Sequence, residues 1–302
     1  VLHLYIQQPD DNRVPGMNAW FSTEFNRHNT WFGQANYYFD YLRRCQYMLQ
    51  QGQYAADVCY FIGENTPIMT GGRVPEIPEG YSYDYINGEV ILDRLSVKDG
   101  KFVLPDGMSY SVLVLPPFKT MRPNVLAKIE QLVAQGGTIL GSKPEKSPSL
   151  QNYPECDTQV TEIASKLWSG VYENGKMKNP YGDGFVLDGM DLTEVFSMLG
   201  VAKDVKLSED APILWTHRTM PGMDIYFISN QSDEQINIEP IFRVNNDYNV
   251  QLWDAVTGDV RRLNDFATVD GGTSVPLSLE GSQSWFVVFT NADNADVKQA
   301  YT

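Results

Sequence analysis

The sequence predicts an α/β domain built on a parallel sheet, followed by an all-β domain. Apolar runs of strand length alternate with helical patterns between about residues 53 and 204, as in buried parallel sheets. Beyond residue 205, short alternating runs are separated by Gly and Asp turns, which is typical of an antiparallel β-sandwich. Hydrophobic residues make up 42% of the 302 residues, enough for a globular core.

The first expected element is a strand at residues 1–6, where apolar and polar side chains alternate. A polar loop follows, and then a helix over residues 31–49 in which apolar side chains recur every three or four positions. Asn29 or Thr30 precedes this helix and is a natural N-cap. Gly52 follows its end, at the usual C-terminal position for glycine.

The α/β domain is expected to be Rossmann-like, because its strands and helices alternate along the chain. Strands are predicted at residues 56–62, 102–104, 110–115, 138–140 and 185–187, and helices at residues 85–95, 123–133, 158–168 and 192–199. The sandwich strands are predicted at residues 213–215, 224–228, 235–242, 250–253, 274–279 and 284–289.

Charge and composition exclude several classes of protein. The chain carries 23 Lys and Arg against 38 Asp and Glu, a net charge of −15, which repels phosphate backbones and argues against nucleic-acid binding. No apolar run reaches the roughly 18 residues of a membrane span. Three cysteines cannot form a disulfide framework, and Cys59 lies in an apolar run that predicts a buried, unreactive thiol.

Familiar catalytic motifs are absent from the sequence. There is no G-x-S-x-G or G-x-C-x-G elbow, and Pro116-Pro117 stands where a nucleophile would follow the strand at residues 110–115. Gly136-Gly137 precedes a strand rather than a helix, unlike a dinucleotide-binding turn. The three histidines, His3, His28 and His217, are scattered, so we expect no metal site and no cofactor in this chain.

Polar and aromatic side chains concentrate just before the first helix, as they would in a sugar-binding site. Four polar side chains could bind hydroxyls there: Glu24, Arg27, His28 and Asn29. The rings of Trp20, Phe21, Trp31 and Phe32 could serve as stacking surfaces. The alternative is that Asn29 and Thr30 only cap the helix while the aromatic rings pack beneath it.

A second group comprises Tyr83, Asp84 and Asn87. One interpretation makes Asp84 the cap of the helix at residues 85–95, with Asn87 at its third position. The other places these side chains, with Glu64, on the rim of a pocket at the carboxyl end of the parallel strands.

In their order, several motifs resemble the C-terminal part of the α-L-rhamnosidases of glycoside hydrolase family 106. The resemblance covers nearly the whole chain and rests on His3 with Gln8-Pro9, Val14-Pro15-Gly16, the segments at residues 25–31, 40–52, 56–58 and 83–87, Leu115-Pro116-Pro117, and Leu252-Trp253-Asp254 with Thr257-Gly258.

The resemblance implies a multidomain enzyme with a (β/α)₈ catalytic barrel. Residues 1–52 would then be the end of that barrel, residues 53–204 a class I amidotransferase-like α/β domain without amidotransferase chemistry, and residues 205–302 a β-sandwich. The barrel would be completed by a segment upstream of Val1, which would explain why the chain opens on a lone strand and lacks an initiator Met.

The resemblance also implies inverting hydrolysis by two carboxylic acids about 6.5–9.5 Å apart, with calcium nearby in the full enzyme. Both acids are expected upstream; within this chain Glu24 is the catalytic candidate. The expected substrate-binding residues, for rhamnose-containing glycans, are His3, Arg27, Asn29, Trp31, Asp84 and Asn87.

The family further implies a periplasmic or extracellular bacterial location and a role in polysaccharide degradation. On this interpretation the chain supports the barrel and the substrate rim and is inactive alone. Two alternatives stay open: a non-catalytic carbohydrate-binding or structural module, and an amidotransferase-like enzyme, which would need Cys59 as its nucleophile.

Overall fold

A computed structural model gives the architecture of residues 29–65, 72–208, 210–244 and 248–291, together with residues 6, 7, 12, 17, 18, 25, 27 and 301. The fold is mixed α/β, with one sheet that contains parallel strands and several antiparallel sheets. Within these ranges, no helix combines the length and the hydropathy that a membrane crossing needs.

The described residues of the N-terminal part form three short strands, one 3₁₀ helix and one long helix. Strands β1 and β2 pair with each other in antiparallel fashion. The elements are β1 (Ile6–Gln7), β2 (Met17–Asn18), the 3₁₀ helix (Phe32–Gln34), α1 (Ala35–Leu49) and β3 (Gln53–Tyr54).

The α/β half alternates strands and helices. Its elements are β4 (Val58–Phe61), β5 (Tyr83–Ile86), α2 (Gly88–Asp93), β6 (Ser96–Lys98), β7 (Lys101–Val103), β8 (Ser109–Tyr110), β9 (Val112–Val114), α3 (Pro123–Ala134), β10 (Thr138–Leu140), α4 (Glu155–Leu167), β11 (Tyr172–Glu173), β12 (Lys176–Tyr181), β13 (Gly184–Asp188) and α5 (Leu192–Leu199).

Seven of these strands form one sheet, in the order β11-β12-β13-β10-β9-β4-β5. The five from β13 to β5 are parallel, and β12 and β11 extend the sheet in antiparallel fashion. Helices α2, α3 and α4 pack on one face and α5 on the other. Because both faces are covered, β4, β9 and β10 are buried along their whole length.

The β-rich half contains the remaining strands, which are all antiparallel. They are β14 (Val205–Lys206), β15 (Ile213–Met220), β16 (Met223–Asn230), β17 (Ile236–Ile238), β18 (Ile241–Phe242), β19 (Asn249–Trp253), β20 (Val260–Leu263), β21 (Ala267–Val269), β22 (Gly272–Ser274), β23 (Leu277–Leu279) and β24 (Ser284–Thr290).

A six-stranded sheet, in the order β20-β19-β24-β16-β15-β3, is the centre of this half. One face shares a core with strands β14, β18 and β23, which belong to two smaller sheets. The other face packs against α1 through Cys45, Met48, Ile225, Phe286 and Val288. Helix α1 and β3 are therefore built into the β-rich half, although roughly 160 residues separate them from β15 in the sequence.

Several predicted elements differ from the structure. The predicted sandwich strands at residues 235–242 and 274–279 are each divided into two strands, β17 with β18 and β22 with β23, and the members of each pair belong to different sheets. The predicted helix at residues 85–95 begins only at Gly88, because Tyr83–Ile86 pairs with β4 as a parallel strand. The predicted strand at residues 102–104 is β7, which belongs to a separate antiparallel sheet with β6 and β8 rather than to the parallel sheet. The segment between the predicted helix at residues 158–168 and the predicted strand at residues 185–187 contains the strand β12, which was not predicted.

Candidate functional site

Strand β5 carries Asp84 at the edge of the parallel sheet. Its register with β4 sets Asp84 opposite Cys59. The hydroxyl of Tyr110 donates to Asp84 Oδ2 at 3.0 Å, and the backbone N–H of Tyr85 donates to Oδ1 at 2.8 Å. The carboxylate is therefore oriented by two hydrogen bonds on the partly buried edge of the sheet.

A pocket of about 350 Å³ lies in front of this carboxylate. Asp84, Asn87 and Arg94 supply its charged and amide groups. The other lining residues are Ile62, Tyr85, Ile86, Val90, Leu104, Met108 and Tyr110. Few polar groups converging on an apolar wall are typical of a small-molecule site, and this set suits a sugar with both hydroxyls and hydrocarbon faces.

The electrostatics around Asp84 keep the neighbouring groups neutral. Burial raises the pKa of the Tyr110 hydroxyl, and the nearby Cys59 and Asp84 raise it further. Burial and then Asp84 likewise raise the pKa of the Cys59 thiol. Tyr110 therefore acts as a proton donor to Asp84 and Cys59 stays a thiol, which gives no support to a thiolate nucleophile at this sheet.

Asn87 has a structural role in addition to its place in the pocket. Its side chain accepts a hydrogen bond of 2.9 Å from the N–H of Val90, so Asn87 is the N-cap of α2. The predicted arrangement, with Asp84 as cap and Asn87 at the third helical position, is wrong because Asp84 lies within strand β5.

Glu64 lies beside the start of α2, where it forms an ion pair with Arg122. The buried carboxylate bonds to the Arg122 guanidinium and accepts a bond of 2.7 Å from the Arg122 backbone N–H. The hydrogen bond and charge of Glu64 raise the pKa of Arg122 above its ordinary value. Glu64 therefore links β4 to α3 and is absent from the residues that line the Asp84 pocket.

The candidates before the first helix form a separate group. The ring of Trp31 contacts the edge of Phe25 at a centroid distance of 5.8 Å, and Phe25 also packs on Tyr38 of α1. Arg27 is exposed, while Asn29 and Trp31 are half-buried. None of Arg27, Asn29 and Trp31 lines the Asp84 pocket.

Asn29 and Thr30 do not cap α1 as predicted. A 3₁₀ turn intervenes, and the N–H of Phe32 donates to the backbone carbonyl of Asn29 at 3.1 Å. Helix α1 starts one turn later, with Gln34 as an N-cap that makes no side-chain bond. The other candidates of this region, His3, Trp20, Phe21, Glu24 and His28, lie outside the described residues.

A buried polar network that the sequence analysis missed joins the two halves of the chain. His217 Nδ1 lies 2.9 Å from Asp204 Oδ2, and its Nε2 lies 3.1 Å from Asp224 Oδ1. The hydroxyl of Tyr226 donates to Asp204 Oδ1 at 2.8 Å, and its ring stacks on His217. The sequence signal that could have revealed this network is the Pro221-Gly222 pair, which is typical of a turn. A hairpin at that turn sets His217 opposite Tyr226.

Arg243 extends this network into the α/β half. Its guanidinium donates to Asp57 Oδ1 at 2.9 Å and to the carbonyl of Ala202 at 2.6 Å. Burial opposes the charge of Arg243, but Asp204 and Asp57 outweigh it and raise its pKa. Most of the polar atoms of this network are hydrogen-bonded to one another or to the backbone, although Asp57 Oδ2 is buried without a hydrogen-bond partner. We therefore interpret the network as a structural joint between the two halves.

The described residues include acidic, histidine and cysteine side chains, the usual metal ligands. Among them, no group of three or more His, Cys, Asp or Glu is arranged to hold a metal ion. The expected calcium of the full enzyme therefore has no fitting ligand set in the described part of this chain, and no chemical step is assigned to it.

Comparison with known sequences gives two findings of similarity. The model of glycoside hydrolase family 106, described as α-L-rhamnosidase, matches residues 1–267. A Formosa agariphila protein named "Putative beta-glucuronidase" is 38% identical over 297 residues, which are 97% of this chain and 24% of that protein. The chain thus spans about a quarter of the curated relative that it matches.

Solved structures point the same way. A rhamnosidase from Novosphingobium sp. PP1Y superposes with a TM-score of 0.80 at 31% identity, over 89% of this chain and 26% of that one. A β-galactosidase from Bacillus circulans sp. alkalophilus superposes with a TM-score of 0.52 at 11% identity, over 88% of this chain and 46% of that one. The second likeness concerns the fold alone.

Proposed function

Since this chain belongs to glycoside hydrolase family 106, the α-L-rhamnosidases, we propose that it is the C-terminal part of a longer enzyme that hydrolyses α-L-rhamnosyl linkages in glycans. The supporting observation is the match to the Novosphingobium rhamnosidase, which includes nearly nine-tenths of this chain but only about a quarter of that enzyme. Most of the catalytic framework would then lie in the remaining three-quarters.

The proposal assigns a supporting role to each part of the chain. The α/β half acts as a class I amidotransferase-like domain that has lost its chemistry. This fits a Cys59 whose thiol is buried in mid-strand with a raised pKa, and two prolines, Pro116 and Pro117, after β9. The β-rich half acts as a β-sandwich, which fits the core shared by its larger and smaller sheets.

Catalysis itself is assigned to an upstream (β/α)₈ barrel, because one strand of eight cannot build that barrel. There, one acid with a raised pKa would protonate the leaving oxygen while the other, as a carboxylate, activates water. Calcium would bind in that part as well. Arg27, Asn29 and Trp31 would contribute to the barrel rim, and Asp84 and Asn87 would hold a more distant part of the glycan.

This activity implies that the longer protein degrades rhamnose-containing polysaccharides outside the cytoplasm, in the periplasm or medium. A second candidate is hydrolysis of β-D-glucuronides, which the name given to the Formosa relative favours. A third is a non-catalytic carbohydrate-binding or structural module, which fits a chain whose Asp84 pocket combines polar and apolar walls.

The test is proton NMR of the products that the longer native protein forms from 4-nitrophenyl α-L-rhamnopyranoside and 4-nitrophenyl β-D-glucuronide. We expect rhamnose to be released first as the β-anomer, since an inverting pair of acids reverses the anomeric configuration. Release of glucuronic acid alone would favour the second candidate. Turnover of neither substrate would favour the non-catalytic module.

A further inference from the structure

A cleft of about 410 Å³ separates the α/β half from the β-rich half. One wall comes from Arg73, the segment at residues 77–82 and Tyr83 at the start of β5. The other comes from residues 203, 205, 207, 208, 210, 211 and 213–215, the last of which is Trp215. Tyr54 of β3 also lines the cleft. A molecule bound here would therefore contact both halves of the chain at once.

The cleft is open because the edge of β15 is only partly covered. Strand β3 pairs with Arg218 and Thr219, and the N–H of Ala55 donates to the His217 carbonyl at 3.0 Å. Toward Ile213, no described strand continues this pairing. Along a strand, the N–H and C=O groups of successive residues point to opposite edges. Those of Trp215 therefore point to the same edge of β15 as those of His217, and this edge faces the cleft.

The side chains of the cleft combine aromatic, charged and apolar groups. Tyr54, Tyr83 and Trp215 are half-buried, and Arg73 lies 5.1 Å from the centre of the Tyr83 ring. Lys203 and Asp210 are exposed at the rim, and neither forms an ion pair with another residue in the described ranges. Apolar surface is added by Ile77, Val205, Leu207 and Leu214.

The walls are held in place before any ligand binds. The backbone N–H of Asp204 donates to the Gly80 carbonyl at 2.7 Å, which ties the two walls together. The Asp204 side chain is fixed in turn by His217 and Tyr226. A rigid cleft loses little conformational entropy on binding, which favours ligand affinity.

We propose that this cleft binds a segment of a rhamnose-containing oligosaccharide. A 6-deoxyhexose presents hydroxyls to Arg73, Lys203 and Asp210, a methyl group to the apolar wall, and a ring face to Trp215. The identity of the sugar rests on the proposed function; the site itself rests on the geometry of the cleft.

The test is isothermal titration of the 302-residue chain with an L-rhamnose trisaccharide, and with maltotriose as the control sugar. We expect saturable binding of the rhamnose trisaccharide, at least about tenfold tighter than that of maltotriose. Trp215→Ala should weaken it about tenfold through loss of the aromatic surface. The matched control is Trp285→Ala, since Trp285 is half-buried on the same sheet but lies outside the cleft.

Lys203→Ala and Asp210→Ala provide a second measurement that does not disturb the core, because both side chains are exposed. Each should weaken binding about threefold while thermal unfolding stays that of the wild type. The inference is overturned if the chain binds no rhamnose trisaccharide, or if the Lys203 and Asp210 variants bind it as tightly as the wild type.

The two proposals can fail separately. Hydrolysis by the longer protein without trisaccharide binding by this chain would overturn the cleft and leave the proposed function standing. Binding by this chain without hydrolysis by the longer protein would overturn the proposed function and leave the cleft standing.

Discussion

His217 and Asp204 form a buried hydrogen bond of 2.9 Å that fastens the central strand pair of the β-rich half to the end of the α/β half. The second ring nitrogen of His217 faces Asp224 at 3.1 Å. Burial opposes a charge on the imidazole, but the bonds to Asp204 and Asp224 outweigh burial, and the pKa of His217 is raised. The two carboxylates therefore favour the protonated form of His217.

This pKa makes the stability of the protein pH-dependent. The unfolded imidazole has a pKa near 6.5, and that of folded His217 is higher. Its stabilising contribution is full below about pH 6.5 and is lost as the pH rises through the folded value. Urea unfolding, followed by tryptophan fluorescence between pH 5.5 and 9, should show the free energy of unfolding falling at alkaline pH.

His217→Gln is the control for this effect. The variant removes the hydrogen-bonded His217 partner of buried Asp204 but leaves Asp204 paired with Arg243 at 3.7 Å. We therefore expect the free energy of unfolding to fall by about 2 kcal/mol near neutral pH, with a flatter pH dependence between pH 6.5 and 9. An equal alkaline slope in the variant and the wild type would assign the pH dependence to other groups.

Arg243→Ala should destabilise the joint between the two halves. Burial raises the pKa of Asp57, which Arg243 opposes through its charge and its bond of 2.9 Å. Removing the guanidinium leaves a buried carboxylate unpaired, at a cost of about 3 kcal/mol in chemical denaturation. The control is Arg262→Ala, at an exposed position on β20, which should lower the free energy of unfolding by less than about 0.5 kcal/mol. If the two variants were equally destabilised, the ion pair between Arg243 and Asp57 would not stabilise the protein.

The native chain should resist thiol alkylation. All three cysteines, Cys45, Cys59 and Cys156, are buried, and burial raises the pKa of the Cys45 and Cys59 thiols. Iodoacetamide at pH 8 should add no label to the folded protein and three labels in urea, as counted by intact mass. Rapid labelling of Cys59 in the folded protein would revive the amidotransferase-like alternative.

Asn87, which lines the Asp84 pocket, is also the N-cap of α2, and this structural role can be tested by substitution. Asn87→Ala removes the bond to the Val90 N–H and should lower the free energy of unfolding by about 1 kcal/mol. Asp191→Ala, which breaks the capping box of α5, should cost a similar amount. The control is Gln131→Ala, at an exposed position within α3. If the Asn87 variant were as stable as this control, Asn87 would not stabilise α2 as its N-cap.

The central strands were predictable because they are buried on both faces. Runs such as those of β4 and β9 contain only apolar side chains, and that signal depends on local sequence alone. Residues 85 and 86 of strand β5 were predicted as the start of a helix, because Tyr83–Ile86 lies at a sheet edge and mixes polar with aromatic residues. Its pairing with β4 decides its structure, and pairing is not visible locally.

The residues of the candidate sites also differ in how far their grouping could be predicted from the sequence. Asp84 and Asn87 are close in sequence, so one motif could bring both to one pocket. Asp57, Asp204 and Arg243 are separated by up to 186 residues and meet only after both halves have folded. The cleft around Trp215 is likewise a product of how the halves meet, so no sequence motif marks it.

The most direct test of the whole account compares the longer native protein with the 302-residue chain on 4-nitrophenyl α-L-rhamnopyranoside. At equal molar concentration, we predict release of 4-nitrophenol by the longer protein and none above the buffer rate by the chain. Hydrolysis by the chain alone, at a rate that scales with its concentration and survives repurification, would contradict the assignment of catalysis to an upstream barrel.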